Sequence, residues 1–293
     1  MSYSLTRRDA LNCIAGAGLA AAAANSGPLL AEDGSTAKPR KGNVRHAVCR
    51  WCYSKIPLET LCREAKTMGI EGIDLLGPDE WPVAREHGLI CSMAHGAGMG
   101  IPKGFNRLEL HDDLVADYEA MIPRVAEAGL VNLICFSGNR DGMDDEQGLE
   151  NCAVGIKRLM KTAEKHNVIL AMELLNSKVS HKDYMCDHTA WGVELCKRVD
   201  SENFKLLYDI FHMQIMEGDL IRTIRESAPY IAHYHTGGVP GRAEIDETQE
   251  IYYPAVIRAI VETEYKGFIA QEFVPKSPEP LKSLAAAIDI CDV

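Results

Sequence analysis

From residue 44 onward, short apolar runs rich in β-branched and aromatic residues alternate with longer stretches whose apolar positions recur every three or four residues. The first kind predicts eight strands, at residues 45–51, 72–76, 90–95, 131–137, 168–174, 204–210, 231–235 and 268–273. The second kind predicts helices between them, at 58–68, 114–128, 147–166, 191–199, 220–227 and 254–264, with a last one at 281–290. Leu61, Ala65 and Met68 show the helical spacing. Gly69, Gly88, Gly129 and Gly267 stand where helices should end, at positions suited to a left-handed cap.

Repeated strand-then-helix units imply parallel strands joined by right-handed crossovers. Val168-Ile169-Leu170-Ala171-Met172 is apolar without a break, as a strand buried on both faces should be. Eight such units in about 250 residues predict one (β/α)8 TIM barrel domain over residues 44–293. An open doubly wound sheet would carry a glycine-rich phosphate turn after its first strand. Cys52-Tyr53-Ser54-Lys55-Ile56-Pro57 stands there instead. Gly96-Ala97-Gly98-Met99-Gly100, after the third strand, lacks the spacing of a dinucleotide site and reads as a flexible loop over the barrel mouth.

The chain before residue 44 has another character. Thr6-Arg7-Arg8-Asp9-Ala10-Leu11 precedes a small apolar run, residues 13–24, in the order of an export signal. The paired arginines suggest the twin-arginine route, which predicts a periplasmic or otherwise exported protein, with a cytoplasmic one the alternative. Residues 1–31 are thus read as signal and the polar residues 32–43 as linker. The apolar run is shorter than the ~20 residues of a spanning helix, so no stable membrane span is expected.

The formal net charge of −11, with no basic run in the folded body, disfavours nucleic acid as a partner. A small-molecule substrate is expected, and a homo-oligomer stays open. Ten cysteines are present, but most lie in apolar or helical stretches and read as buried free thiols. Cys49-x-x-Cys52 has a redox-like spacing, yet no second pair follows, and in an extended strand the two would face opposite ways.

In barrels of this kind chemistry sits where strands end. Strands five to eight end in Glu173, Asp209, His235 and Glu272. Any one alone could be a helix cap; four on consecutive strands point to a bound cation. Three carboxylates and an imidazole suit one divalent metal ion, Mn2+ or Mg2+ first, with Co2+ or Zn2+ as alternatives. His212, three residues past Asp209, and Arg242, in the loop after His235, should lie near it as substrate-binding groups. His95, closing the third strand, is a third candidate for substrate contact, and His233 is expected on the opposite face of its strand from His235.

The segments Ala171-Met172-Glu173-Leu174-Leu175-Asn176, Tyr208-Asp209-Ile210-Phe211-His212-Met213, His233 through Arg242 and Ala270-Gln271-Glu272-Phe273 resemble the xylose isomerase-like barrel superfamily, most closely its hydroxypyruvate isomerase branch. The resemblance implies a metal held by Glu173, Asp209, His235 and Glu272, with Glu173 and Glu272 also exchanging protons with the substrate. It implies substrate contacts for His212 and Arg242. The implied reaction interconverts an α-hydroxy ketone and its aldehyde isomer, hydroxypyruvate and tartronate semialdehyde, through an enediolate. Two positions depart from that branch. His235 stands where many hydroxypyruvate isomerases have Gln and where ketose 3-epimerases have His, which favours a ketose epimerase as the alternative. Ala243 stands where the branch often has His before Glu244.

Overall fold

The computed structural model describes residues 39–293. The predicted export signal and most of the predicted linker lie outside the described residues. All eight predicted strands are present: β1 (Arg45–Cys49), β2 (Gly72–Asp74), β3 (Ile90–Cys91), β4 (Asn132–Cys135), β5 (Ile169–Glu173), β6 (Phe204–Asp209), β7 (Ile231–Thr236) and β8 (Phe268–Gln271). Every ladder is parallel, in the order β3-β2-β1-β8-β7-β6-β5-β4. Ala94, just past β3, bridges in parallel to Leu76 on one side and Leu133 on the other. The sheet therefore curls round until its two ends meet at Ala94, as an eight-stranded barrel requires.

The helices are α1 (Leu58–Thr67), α2 (Trp81–Glu86), α3 (His111–Glu127), α4 (Asp145–His166), α5 (Thr189–Val199), α6 (Ile210–Met216), α7 (Leu220–Ser227), α8 (Tyr253–Glu262) and α9 (Pro280–Cys291). Seven of these answer to helices predicted by range, α2 is the helix that Gly88 was expected to end, and α6 was not foreseen. In α1, Leu58, Leu61, Cys62 and Ala65 form one buried face, the stripe that the spacing predicted. The α4 start is capped by Asp144, whose side chain accepts from the Gln147 N–H at 2.8 Å. Gly69, Gly88 and Gly129 are left-handed, but Gly267 is not. At the end of α8 the left-handed residue is Glu264, and Gly267 is tight because a Cβ there would lie 2.2 Å from the Tyr265 hydroxyl.

The period of two along each strand divides the core into two layers. Outward residues such as Val48, Ile73, Leu170, Met172, Leu206, Tyr208 and Tyr234 pack against the helices. Inward residues form two small clusters in the barrel, Ala47, Cys49, Phe268 and Ala270 in one and Met93, Ile134, Ala171 and Leu207 in the other. Residues 39–43, read as the end of the linker, lie against the barrel. Arg40 donates through Nε to the Met68 carbonyl at 2.8 Å, and Asn43 Nδ2 donates to the Val293 carbonyl at 2.9 Å.

Candidate active site

Two steps along a strand return to the same face, so the inward apolar residues determine what points inward at the strand ends. Ala171 leads to Glu173, Leu207 to Asp209, and Ala270 to Glu272 just past β8. His233 leads to His235 by the same count. The expectation that these two histidines face opposite ways is therefore wrong: both reach Asp74, and their ring centres are 5.2 Å apart.

The four predicted ligands converge. One ligand atom from each of Glu173, Asp209, His235 and Glu272 lies within 4.8 Å of the others, and all four side chains are buried. His235 Nδ1 is 2.5 Å from Glu272 Oε2, 3.5 Å from Glu173 Oε1 and 3.9 Å from Asp209 Oδ2. Asp209 has two tasks. Its Oδ1 accepts the His212 backbone N–H at 3.0 Å and caps α6, while its Oδ2 faces the ring.

Arg242 also enters this ring. Its Nη2 donates to Asp209 Oδ2 at 2.5 Å and to Glu272 Oε2, its Nε donates to the Glu272 carbonyl at 2.9 Å, and its Nη1 lies 2.6 Å from His212 Nε2. The His212 Nδ1 accepts the Asn176 backbone N–H at 3.0 Å and its Nε2 faces the Arg242 guanidinium, so both ring nitrogens are turned toward donors. Trp51 Nε1–H donates to Glu272 Oε1 at 2.6 Å.

Burial pushes Glu173 up to about 7, with the charges of Glu272 and Asp209 adding to it against the His235 contact. Burial works upward on Glu272 too, but His235, Arg242 and the Trp51 N–H overcome it and hold that carboxyl well below its usual range. Burial and the Arg242 charge keep His212 neutral, far below the usual imidazole value. His235 is raised despite its burial, chiefly by Glu272.

This donor set fits a divalent cation. Three buried carboxylates meet one guanidinium, and His235 Nδ1, aimed at their oxygens, is buried without a well-formed hydrogen bond. A second group of metal-capable residues, Cys49, Asp74 and His235, is a hydrogen-bonded set instead. The 2.7 Å between Asp74 Oδ2 and His235 Nε2 leaves no room for an ion between them. Cys49 and Cys52 are both free thiols that burial raises. They do not share a strand, because β1 stops at Cys49 and Cys52 lies in the 3-10 turn Arg50–Tyr53.

Above the ring opens a cavity of about 600 Å3. Glu173, Glu272, His212 and Arg242 form its polar side, and Leu75, Ile101, Ile134, Phe136 and Leu175 its apolar side. Gly96, Ala97, Gly98 and Gly100 line it as the sequence predicted. His95 is exposed at its edge, Arg242 is turned inward toward the carboxylates, and His212 lines the cavity with both ring nitrogens engaged by neighbours. Sequence reasoning missed Trp51, Asp74, Asn176 and His181. His181 lines the cavity with its ring 5.3 Å from that of His212. The signal that could have found Asp74 is the rule used for the others: a carboxylate two positions after an inward residue, here Gly72, at a strand end.

A family model described as the xylose isomerase-like TIM barrel matches residues 62–291. A putative hydroxypyruvate isomerase of Danio rerio is 30% identical over 139 residues, which cover 44% of this chain and 50% of that protein, so the alignment spans half of that relative. A 2-oxo-tetronate isomerase of Pectobacterium atrosepticum is 25% identical over 237 residues, 76% of this chain and 89% of that one. Among solved structures, D-psicose 3-epimerase of Clostridium cellulolyticum superposes with a TM-score of 0.68 at 18% identity, covering 85% of this chain and 98% of that one. At that identity the likeness concerns the fold.

Proposed function

The chain belongs to the xylose isomerase-like TIM barrel family, and from that premise we propose that it is an isomerase that moves a proton beside the carbonyl of an α-hydroxy ketone. The reaction we assign is hydroxypyruvate to tartronate semialdehyde. One divalent ion, Mn2+ or Mg2+ before Co2+ or Zn2+, is held by Glu173, Asp209, His235 and Glu272. The observation that carries this reading is the meeting of two glutamates, at the ends of β5 and β8, at one buried imidazole beneath a cavity with one polar and one apolar side.

When bound, the ion supplies positive charge beside the substrate oxygens and so stabilises the charge that develops on them. Glu173 and Glu272 are the acid/base pair: one carboxylate takes the proton from carbon and a carboxyl returns it to the neighbouring carbon through an enediolate. His212, held between the Asn176 N–H at Nδ1 and the Arg242 guanidinium at Nε2, lines the cavity as a substrate-contacting wall. Arg242 holds Asp209 and Glu272 together and offsets their repulsion. The apolar wall of Leu75, Ile134 and Phe136 holds the carbon skeleton and excludes water from the reacting carbons.

Two observations favour a second reading, a ketose 3-epimerase. The cavity is far larger than a three-carbon acid requires, and Arg242, the only Lys or Arg among the lining residues, spends its N–H groups on the site itself. A neutral sugar needs no cation for a carboxylate. The same metal and glutamates would then remove and return the proton at one carbon.

Proton NMR in D2O of the Mg2+-loaded protein with hydroxypyruvate and a panel of free ketoses separates these readings. Deuterium entering hydroxypyruvate, with tartronate semialdehyde formed, establishes the isomerase. Exchange confined to C3 of a ketose, with its epimer, establishes the epimerase. No exchange at full metal occupancy removes both. Residues 1–31 belong to the proposal as a twin-arginine signal, and cell fractionation of the wild-type chain beside Arg7→Lys/Arg8→Lys tests it. Retention of the double variant in the cytoplasm, with the wild type exported, is the expected result.

A further inference from the structure

The ring explains three sides of His235 but not the fourth. Its other nitrogen, Nε2, lies 2.7 Å from Asp74 Oδ2, at the end of β2 on the other half of the sheet. Asp74 is fully buried, and it collects partners on both oxygens: the Ser92 hydroxyl donates to Oδ1, the Cys49 thiol lies at 3.6 Å beside His235 on Oδ2, and His233 Nε2 stands 3.1 Å from Oδ1 without a well-formed hydrogen bond. A buried carboxylate is costly to desolvate, and the neighbouring strand carries an uncharged residue, Cys49, at the register position beside it. Nothing in the acid/base chemistry uses it. It touches neither the cavity nor the two glutamates.

We infer that Asp74 is a positioning residue: by accepting the Nε2–H of His235 it keeps the ring's proton on that nitrogen and presents Nδ1 as a metal donor, while Ser92 and His233 brace it. The logic is one of proton count. A neutral imidazole carries one N–H, and a ring with that proton on Nδ1 would turn a donor toward the cation. An ionised carboxylate only accepts, so a partner of this kind at Nε2 permits one tautomer. The His233 ring, at 86° to that of His235 and 5.2 Å away, limits how far His235 can rotate. Together these contacts fix both which nitrogen is free and where it points. This rests on the reading of Glu173, Asp209, His235 and Glu272 as a cation site.

The test is Mn2+ calorimetry on the metal-stripped full chain, wild type beside Asp74→Asn, Asp74→Ala and Ser92→Ala. An amide can turn its NH2 toward His235 and alanine leaves nothing to accept, so both Asp74 variants should bind Mn2+ about 10- to 100-fold more weakly. Ser92→Ala should weaken binding by a smaller factor. Turnover should recover at saturating Mn2+, with the half-activating concentration shifted by the same factor as the affinity, which general damage to the fold would not produce. In 15N-histidine spectra of the Mg2+-loaded protein, a downfield Nε2–H proton from His235 should be present in the wild type and lost in Asp74→Ala. An unchanged Mn2+ affinity in a folded Asp74→Asn overturns the inference. If both Asp74 variants fail to fold, wild-type affinity in Ser92→Ala does the same. A wild-type protein that binds no Mn2+ overturns the metal reading itself, and this inference with it.

Discussion

The two halves of the sheet are built alike and used differently. From β5 to β8, each strand delivers a metal-capable group to the ring: Glu173, Asp209, His235 and Glu272. From β1 to β4 the strand ends and loops deliver Cys49, Trp51, Asp74, Leu75, the Gly96–Gly100 loop, Ile134 and Phe136, which support the ring or wall the cavity. The difference teaches that one scaffold rule, inward residues at strand ends, places the candidate metal ligands on one half and the groups that support them on the other. Which residue occupies the position decides its use, because backbone geometry treats all eight strands alike.

The largest expected effect tests that division directly. Glu173→Gln and Glu272→Gln each keep the size of the side chain but remove the proton acceptor, so turnover should fall by about 10^2–10^4-fold with the melting temperature little changed. Steady-state kinetics with calorimetric scans checks both parts. Near-normal turnover in both variants would end the acid/base assignment, and a collapse in only one would show that the glutamates are not a pair.

Stability should not follow the same division. Ile73, on β2, and Leu206, on β6, are both fully buried between the sheet and the helices. Truncating either to alanine should cost about 2–5 kcal/mol, a drop in melting temperature of about 5–15 °C. Equal losses would show that both halves carry the fold while one carries the chemistry. A loss near zero at Ile73 would mark the first half as loosely held.

The sequence made the first of these distinctions visible and hid the second. Glu173, Asp209, His235 and Glu272 were legible because each breaks an apolar run at its end, and the run itself marks a buried strand. Asp74 breaks its run in the same way, but as one carboxylate closing a three-residue strand it carried no repeat to compare with. The inward direction of His233 was also within reach: it follows from counting two residues back from His235. Helix α6 was hidden because Asp209 ends β6 and caps α6 at once, with no connecting loop to announce a new element. Most strands are shorter than their apolar runs, since buried loops continue the pattern after the ladder ends; Leu76 and Ala94 keep only isolated bridges. The inward turn of Arg242 depends on groups from β6, β8 and α6, and local sequence carries no trace of it.

His46, on β1, gives the first half a pH signature of its own. It is buried with no hydrogen-bond partner on either ring nitrogen among the described residues, and burial lowers it to about 4, with Arg40 adding to the effect. The folded state therefore keeps this ring neutral while the unfolded chain takes up a proton below about 6.5. Stability from this group is intact above pH 6.5 and falls as the pH drops toward 4, by at most about 3 kcal/mol. His46→Phe should flatten that part of the stability curve, measured by urea unfolding between pH 4 and 7. An unchanged slope would assign the acid sensitivity to the carboxylates of the other half.

The smallest effect asks whether the first half enters the chemistry at all. Trp51 is 46% exposed, yet its Nε1–H reaches Glu272 Oε1 at 2.6 Å, so it touches the proposed acid/base pair from the turn after β1. Trp51→Phe keeps an aromatic wall and removes only that donor. A hydrogen bond to a charged carboxylate contributes about 1.5–3 kcal/mol, part of which water can replace at so open a position. The expected loss is therefore about tenfold in kcat/KM, and it should appear in kcat, because the donor steadies the ionised form of Glu272 and not the substrate. A change confined to KM would make Trp51 a wall of the cavity like Phe136, and the division between a chemical half and a supporting half would then hold without exception.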